Sequence, residues 1–174
     1  TGPCLRSTGV DLDLRKDEPY LVYARVDFDV PVGEHGDNFD RYLVRMEEMH
    51  QSMRIVEQCL DKIPEGPINL DDPRVRWPAK ALVYTRMEEL IDHFKLIFEG
   101  VKPPKGEVYV RNESPNGELG FYLVSDGTGR PVKVRCRPPC FAAMQALGPI
   151  LRGAMIADIV PTFGMINMIG GEGD

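Results

Sequence analysis

Apolar runs separated by two tight-turn signals shape the second half of this 174-residue chain. The turn signals are Pro-Asn-Gly at 115–117 and Asp-Gly-Thr-Gly at 126–129, and the runs around them are rich in Val, Tyr, Leu and Phe. Turns of this kind between strand-forming runs are typical of antiparallel hairpins. The sequence therefore predicts a three-stranded antiparallel β-meander over residues 106–137.

The third run of the meander alternates apolar and basic side chains. Such alternation predicts one face in a core and a second face lined with cations. The basic face is either a solvated outer surface or a docking surface for an acidic neighbouring subunit. The apolar members are Val132, Val134 and Cys136, and the basic members are Lys133, Arg135 and Arg137, with Arg130 in the preceding turn.

A long helix is predicted over residues 37–63. Its apolar residues recur at spacings of three and four, which predicts a buried seam. Asp37 is the expected N-cap, and Pro64 ends the helix. The seam consists of Phe39, Tyr42, Met46, Met49, Met53, Val56, Leu60 and Ile63.

The rest of the chain completes a predicted single α+β domain over residues 1–174. Residues 1–36 read as an irregular arm, in which alternation at Val26, Phe28 and Val30 predicts one short edge strand. A helix over 85–99 is expected to begin with a capping box from Thr85 to Glu88. Trp77 is expected to pin the preceding proline-rich loop to the body of the domain.

The apolar tail, residues 138–174, is expected to form short buried helices. Gly148-Pro149, Arg152, Asp158 and Pro161 interrupt it before the 18 or so apolar residues of a membrane helix accumulate. Because a bare buried carboxylate is costly, Asp158 is expected to find a partner or to hold a proton.

Composition and spacing exclude several kinds of site. The net charge of -6 argues against a general nucleic-acid binder. The four cysteines and three histidines show no metal-ligand spacing, and no phosphate loop or nucleophile elbow is present. The sequence begins with Thr rather than Met, and we expect it to be a piece of a longer protein. By spacing alone, it is a subunit or binding module rather than a complete enzyme.

Long ordered blocks at 11–20, 28–55, 87–96, 103–110 and 117–141 resemble the quinone-site subunit of respiratory complex I. In that family the subunit is called D in bacteria and 49-kilodalton in mitochondria. The resemblance runs along the whole chain and corresponds to the C-terminal portion of the family's subunit.

The resemblance implies a fold related to the large subunit of nickel–iron hydrogenases. The turn at 113–117 is similar to their Glu-Ala-Pro-Arg-Gly turn, and Cys140 occupies a position where relatives usually have Ser. Hydrogenases end in a cysteine motif that binds nickel, whereas residues 167–172 here contain no cysteine. The thiolates of a nickel site are therefore absent, and no nickel is expected.

In complex I this subunit passes electrons from the terminal iron–sulfur cluster, held by a neighbour, to quinone in a cavity between the two. The resemblance implies that this chain is part of the peripheral arm, is inactive alone and binds no cofactor by itself. Its partners are then other complex I subunits. The complex places it at the cytoplasmic face of a bacterial inner membrane or the matrix face of a mitochondrial one.

The resemblance also implies roles for individual residues. Glu113 and the arginines Arg130, Arg135 and Arg137 are expected in structural or interface roles, and no catalytic residue is assigned. Two family positions differ here, since a histidine is replaced by Ala154 and an aspartate by Asn167. The expected quinone-cavity residues are Asp158, Gly164, Ile169, Glu172 and Asp174.

Two alternatives remain open on the sequence. One is a hydrogenase-related large-subunit piece from another membrane-bound electron-transfer complex. The other is a freestanding structural or assembly protein with the same fold.

Overall fold

The computed structural model describes residues 1–173, so the predicted cavity residue Asp174 lies outside the described residues. By internal contacts the chain divides into two compact units. Of the described residues, the first unit contains 1–63, 110–120 and 136–173, and the second contains 64–109 and 121–135. The prediction of a single domain stays a prediction.

The predicted α+β fold and three-stranded antiparallel meander are confirmed. Strands β1 (Gly106–Ser114), β2 (Gly117–Ser125) and β3 (Lys133–Arg137) form one sheet in the order β1-β2-β3. Only Pro115 and Asn116 separate β1 from β2, which forces the two strands to run antiparallel. The amide of Val132, just before β3, donates to the carbonyl of Val124 at 2.8 Å.

The predicted core face of β3 is wrong for this chain. Val132, Val134 and Cys136 are all exposed, as are Lys133 and Arg135. The alternation of the strand is present, but within the described residues no second layer covers its apolar side. A sheet face is buried only when another element packs on it.

The N-terminal 36 residues contain short helices rather than a strand. Helix α1 spans Gly2–Arg6 and α2 spans Leu14–Asp17, followed by a 3₁₀ turn at Tyr23–Arg25. Phe28 is 1% exposed, and the Arg15 guanidinium lies 4.9 Å from the centroid of its ring.

The long helix α3 spans Asn38–Asp61, close to the predicted bounds. The Asp37 carboxylate accepts from the amide of Asp40 at 2.8 Å, which confirms the predicted N-cap.

The predicted seam of α3 is wrong, because this helix turns a polar face toward the rest of the first unit. Every member of the predicted apolar seam is exposed, over a range from 37% at Met46 to 73% at Ile63. The buried and half-buried positions recur at helical spacing on another face. They include Arg41, Val44, Arg45, Glu48, Gln51, Ile55 and Gln58.

The edge strand predicted at Val26, Phe28 and Val30 is also wrong. The segment is extended and these alternate residues are buried or half-buried, but no strand of the described residues pairs with it. Instead the amide of Asp27 donates to Gln58 Oε1 at 2.8 Å, and that of Asp29 to Gln51 Oε1 at 3.0 Å. Glutamine side chains of α3 thus accept hydrogen bonds from backbone amides that would otherwise donate to a neighbouring strand.

In the second unit, helix α4 (Lys80–Val83) precedes α5 (Met87–Phe98). The predicted capping box is wrong, because the hydroxyl of Thr85 donates to the carbonyl of Ala81 at 3.0 Å and Arg86 occupies the N-cap position. The extra helix α4 supplies this competing acceptor. Trp77 is 57% exposed and lies 5.3 Å from the ring of His93, so it does not anchor the loop by burial.

The tail of the first unit forms short helices, as predicted. These are α6 (Pro139–Gln145), α7 (Leu147–Leu151) and α8 (Ile159–Ile166), with 3₁₀ turns at Ile156–Asp158 and Gly170–Glu172. Within residues 1–173, no helix combines the length and the apolar content needed to cross a membrane.

The expected burial of the tail is found at few of its side chains. Cys140, Thr162 and Ile166 are buried, whereas Ile156 and Val160 are among many exposed apolar residues. Thr162 faces α3, where its hydroxyl accepts from Asn38 Nδ2 at 3.0 Å. The short helices therefore dock through a few contacts and leave most of their apolar surface uncovered.

We predict that Phe28→Ala lowers the free energy of unfolding by about 3–5 kcal/mol, because it removes a fully buried ring. The matched variant Phe39→Ala removes the same side chain from a position that is 64% exposed, and should change stability little. Urea unfolding of the two variants beside the parent chain measures both values. An equal loss in the two would show that the seam of α3 is buried after all.

Candidate functional site

An open cleft of about 510 Å³ lies in the first unit and is lined largely by charged and polar side chains. Its wall combines the N-terminal segment, α3, the β1–β2 turn and the residue after α8. The lining residues are Arg6, Arg15, Tyr23, Arg45, Glu48, Met49, Ser52, Glu113, Ser114, Pro115 and Asn167.

The guanidinium of Arg6 is the centre of the cleft wall, and this residue is 1% exposed. Its Nη1 donates to Glu113 Oε1 at 2.8 Å and to the carbonyl of Leu12 at 3.0 Å. Its Nε and Nη2 donate to Glu48 Oε1 at 2.9 and 2.5 Å. A single cation therefore ties α1 to α3 and to the β1–β2 turn.

The other oxygen of Glu113 accepts from the amide of Leu14 at 3.3 Å, and the amide of Glu113 donates to the hydroxyl of Tyr20 at 3.1 Å. Glu113, expected in a structural or interface role, is thus internal to the chain. Its contacts connect the end of β1 to the N-terminal segment.

Asp13 is fully buried and caps α2. Its carboxylate accepts from the amide and Nε of Arg15, both at 2.9 Å, and from Arg15 Nη2 at 2.6 Å. Burial alone raises the pKa of this carboxyl, but the hydrogen bonds and charge of Arg15 outweigh burial and lower the pKa below its ordinary value.

Three carboxylates lie within 4 Å of the Arg6 guanidinium, because Asp13 Oδ2 also lies 3.7 Å from Arg6 Nη1. Burial lowers the pKa of Arg6, but Glu48 and Glu113 together raise it above its ordinary value. Burial raises the pKa of Glu48, and the charge of Arg6, which Glu48 shares with Glu113, offsets only part of this effect. The cleft wall therefore holds a carboxyl group whose proton affinity is increased.

Two glycines allow the N-terminal segment to pack directly on the β1–β2 turn. A Cβ added at Gly2 would lie 2.4 Å from the carbonyl oxygen of Asn116, and one at Gly117 would lie 2.3 Å from Thr1 Oγ1. Both glycines have positive φ, 66° and 129°, which side-chain-bearing residues rarely adopt. This close approach brings Arg6 against Glu113.

A second polar cluster joins the same turn to the tail. Asn116 is 6% exposed, and its Nδ2 donates to Cys140 Sγ at 3.4 Å and to the carbonyl of Asn167 at 3.2 Å. Asn167 Nδ2 donates in return to Asn116 Oδ1 at 2.7 Å. The amide of Cys140 donates to Glu172 Oε2 at 3.1 Å. Burial raises the pKa of the Cys140 thiol, and Glu172 adds to this shift, so the thiol stays protonated at neutral pH.

The predicted cavity residues fall into two places. The carbonyl of Gly164 accepts from the amide of Asn167 at 3.1 Å. Ile169 and Glu172 follow Asn167 in the chain, and the carbonyl of Ile169 accepts from the amide of Glu172 at 3.0 Å. Asp158 lies at the other end of α8. It is half-buried, and its carboxylate accepts from the amide of Met155 at 2.9 Å, so it has a partner, as expected, and that partner is a backbone amide.

The predicted basic face does not form one uniform surface. Arg137 belongs to the first unit, where its Nη1 donates to the carbonyl of Glu118 at 3.0 Å and lies 3.5 Å from the Glu118 carboxylate. Arg130 and Arg135 belong to the second unit and are exposed. Within its own unit, the Lys133 ammonium lies 5.9 Å from the Tyr122 ring centroid.

Sequence reasoning missed Arg6, Asp13, Arg15 and Glu48 as members of one site. The capping signal was available, since Asp13 precedes a helical run and Arg15 follows two residues later. No local pattern marked Arg6 or Glu48, because their contacts join residues 42 and 107 positions apart in the sequence.

The arrangement can orient a polar ligand and exchange protons with it. Among the residues that the structure describes, no His, Cys, Asp or Glu side chains are grouped as a set of metal ligands. The second unit contains clefts of about 420 and 480 Å³. The smaller of these two clefts is lined by the ion pair of Asp72 with Arg74, whose arginine is exposed, unlike the buried Arg6.

The whole chain matches a family model and several curated proteins. The model describes the 49 Kd subunit of respiratory-chain NADH dehydrogenase and matches residues 1–174. The chain is 57% identical over 174 residues to the D subunit of the NADH-quinone oxidoreductase of Pelobacter propionicus. It is 58% identical over 175 residues to the corresponding D 1 subunit of Sorangium cellulosum. Each alignment covers all of this chain and 43% of the relative.

A longer relative is named as a combined C/D subunit. The chain is 52% identical over 174 residues to the C/D subunit of the NADH-quinone oxidoreductase of Bdellovibrio bacteriovorus, which is 100% of this chain and 31% of that protein. The chain therefore spans less than half the length of each of these curated relatives.

We predict that Arg6→Ala lowers the free energy of unfolding by about 3–5 kcal/mol, because it leaves the largely buried Glu48 and Glu113 without their cation. The control Arg54→Ala removes an arginine that pairs with Asp27 and Asp29 at the surface, and should cost much less. Urea unfolding at neutral pH measures both. Similar losses for the two variants would contradict the central role of Arg6.

We predict that Asp13 stabilises the fold above about pH 4 and that this stabilisation is lost on acidification. The folded pKa of Asp13 lies below its ordinary value of 3.8, so the unfolded chain takes up the proton first and stability falls as the pH drops through the folded pKa. Unfolding of parent and Asp13→Asn chains between about pH 2.5 and about pH 6 should show a difference that shrinks toward acid. The control Asp11→Asn, an exposed neighbour, should show no such trend.

Proposed function

Because the chain belongs to the family of the 49 Kd subunit of respiratory-chain NADH dehydrogenase, we propose that it works as part of a proton-translocating NADH:quinone oxidoreductase. The observation that carries this proposal is the family match over all 174 residues, together with identity above 50% to proteins named as D subunits of NADH-quinone oxidoreductases. The chain acts as a subunit of that enzyme and is inactive when isolated.

We propose that the tail and the cleft of the first unit help to form the cavity in which quinone is reduced. Asn167 lines the cleft, Gly164 precedes it on α8, and Ile169 and Glu172 follow it in the chain, where Ile169 has an exposed apolar side chain. Asp158, at the other end of α8, and Asp174 complete the proposed set. An apolar surface next to converging polar groups suits a molecule with a polar head and an apolar tail.

Reduction of a quinone to a quinol takes up two electrons and two protons. In this proposal an iron–sulfur cluster in a neighbouring subunit supplies the electrons, and this chain supplies none. The contribution of this chain is to orient the head group and to provide polar groups at the cavity wall. Glu48, whose pKa is raised by burial, is suited to exchange protons with water in the cleft.

Uncovered apolar surface supports the assembly part of the proposal. In the first unit the seam of α3 is exposed along its length, and in the second unit so is a stripe on α5, formed by Met87, Leu90, Ile91, Phe94 and Ile97. Surfaces of this kind mark protein contacts. The proposed partners are other complex I subunits, above all the one that holds the terminal cluster, and the C component that the name of the Bdellovibrio relative includes.

Through these partners the chain is proposed to be peripheral to a membrane. Its proposed place is the cytoplasmic face of a bacterial inner membrane, or the matrix face in a mitochondrion. Arg130 and Arg135, exposed in the second unit, are proposed as contacts to an acidic neighbour, and Arg137 and Glu113 as structural supports of the first unit.

We predict that a photoreactive quinone analogue labels the tail in the assembled complex. Membranes containing the complete enzyme are illuminated with the analogue, and labelled peptides are identified by mass spectrometry. Label is expected between residues 158 and 174, and excess unlabelled quinone should suppress it. Peptides from α5 serve as the internal control, since the proposal places none of them at the cavity.

Label that is absent from residues 158–174 would contradict the assignment of the tail to the quinone cavity. Label that excess quinone fails to suppress would be nonspecific and would count against it in the same way.

A further inference from the structure

The side chain of Asn116 connects the β1–β2 turn to the tail of the first unit. Asn116 is 6% exposed, and both the nitrogen and the oxygen of its side-chain amide make hydrogen bonds. Nδ2 donates to the carbonyl of Asn167 and to Cys140 Sγ, and Oδ1 accepts from Asn167 Nδ2. A reciprocal pair of amide hydrogen bonds restricts the relative position of two backbone segments more strictly than a single bond does.

The turn that carries Asn116 is itself firmly supported. Ser114 Oγ donates to the carbonyl of Gly117 at 2.8 Å across the turn, and the amide of Glu118 donates to Thr1 Oγ1 at 3.2 Å. The backbone of Gly2 lies against the carbonyl of Asn116, and the carboxylate of Glu113 is bound by Arg6. Asn116 therefore projects from a rigid base.

The segment that Asn116 contacts is the turn that ends α8. Asn167 ends α8 with φ 57° and ψ 53°, a left-handed conformation that Asn tolerates better than most residues with a side chain. Its carbonyl accepts from Asn116 Nδ2 at 3.2 Å and lies 3.6 Å from Cys140 Sγ. This residue sets the direction in which the chain leaves α8, toward Ile169 and Glu172.

We propose that Asn116 is a positioning residue for quinone reduction, acting by holding the backbone of Asn167 and thereby the tail segment 167–172. This inference rests on the proposed function, because it takes the tail as part of the quinone cavity. Asn116 makes no contact with quinone in this scheme. It sets the orientation of residues that do, and its loss should weaken quinone binding without stopping the transfer of electrons from NADH into the enzyme.

The first test is Asn116→Ala in the full-length subunit of the assembled, membrane-bound enzyme. The KM for a soluble quinone should rise about tenfold, which corresponds to roughly 1.4 kcal/mol of lost binding. Oxidation of NADH by an artificial acceptor that does not need the quinone cavity should keep its rate, as should the amount of subunit in purified complexes. Asn69→Ala, an exposed asparagine of the second unit, is the control and should leave every value unchanged.

Two further variants separate positioning from a general effect on folding. Asn116→Asp has the same size and retains an acceptor for Asn167, but it loses the donor and should share the raised KM. Asn167→Gly removes the side chain but keeps the left-handed backbone and the carbonyl that Asn116 contacts, and should have a smaller effect. In the double variant Asn116→Ala with Asn167→Gly, the KM should be no higher than in Asn116→Ala alone, because the two residues act through one contact.

Several outcomes would overturn the inference. One is an unchanged KM in Asn116→Ala. Another is a KM in the double variant equal to the product of the separate effects of Asn116→Ala and Asn167→Gly. A third is a loss of activity in Asn116→Ala that is fully explained by loss of the subunit from the complex. Photolabelling distinguishes this failure from failure of the proposed function. If the parent enzyme is labelled in the tail and Asn116→Ala is labelled equally well, the positioning role alone is wrong. If the parent tail takes no label, both are wrong.

Discussion

The first unit depends on one buried cation, Arg6, that binds carboxylates from two other elements. Arg6 ties α1 to Glu48 on α3 and to Glu113 at the β1–β2 turn, and Asp13 lies just beyond hydrogen-bonding distance. Because buried charges are costly without partners, each of these groups requires the others to be in place. Burial of this cluster also raises the pKa of Glu48 at the wall of an open cleft, and the charge of Arg6 offsets only part of this effect. Stability and the proposed chemistry of the cleft therefore have a common origin.

The contacts of α3 within the first unit are largely polar, and this explains why its apolar seam remains exposed to solvent. Helix α3 uses Glu48, Gln51 and Gln58 to hold the N-terminal segment, and this leaves its apolar seam facing outward. A lone soluble domain rarely exposes such a stripe, whereas a subunit covered by neighbours does so as a matter of course. The chain spans less than half of its curated relatives, and the exposed seam agrees with a protein whose packing is completed by other polypeptide.

Particular residues show how far the sequence could be interpreted without the structure. The turns at 115–117 and 126–129 and the cap at Asp37 were predictable, because turn and cap chemistry is local. The buried face of α3 was not, since periodicity locates an apolar stripe but cannot tell which stripe meets a partner within the same chain. Asn167 and Glu172 stood out only through the family resemblance, and Asn116, which contacts Asn167, did not stand out as a site residue.

The sequence by itself determined the three strands of the meander, the long helix, the short helices of the tail and the family, since each of these follows from local turn signals, from periodicity or from long ordered blocks of residues. Only the tertiary structure decided that Arg6, Asp13, Glu48 and Glu113 form one cluster and that Asn116 pairs with Asn167. Such contacts join positions up to 107 residues apart. They depend on close approach at Gly2 and Gly117 rather than on any pattern along the chain. Local sequence patterns specify the helices and strands, whereas the contacts of Glu48 and Glu113 with the buried Arg6 specify how α1, α3 and the β1–β2 turn pack together.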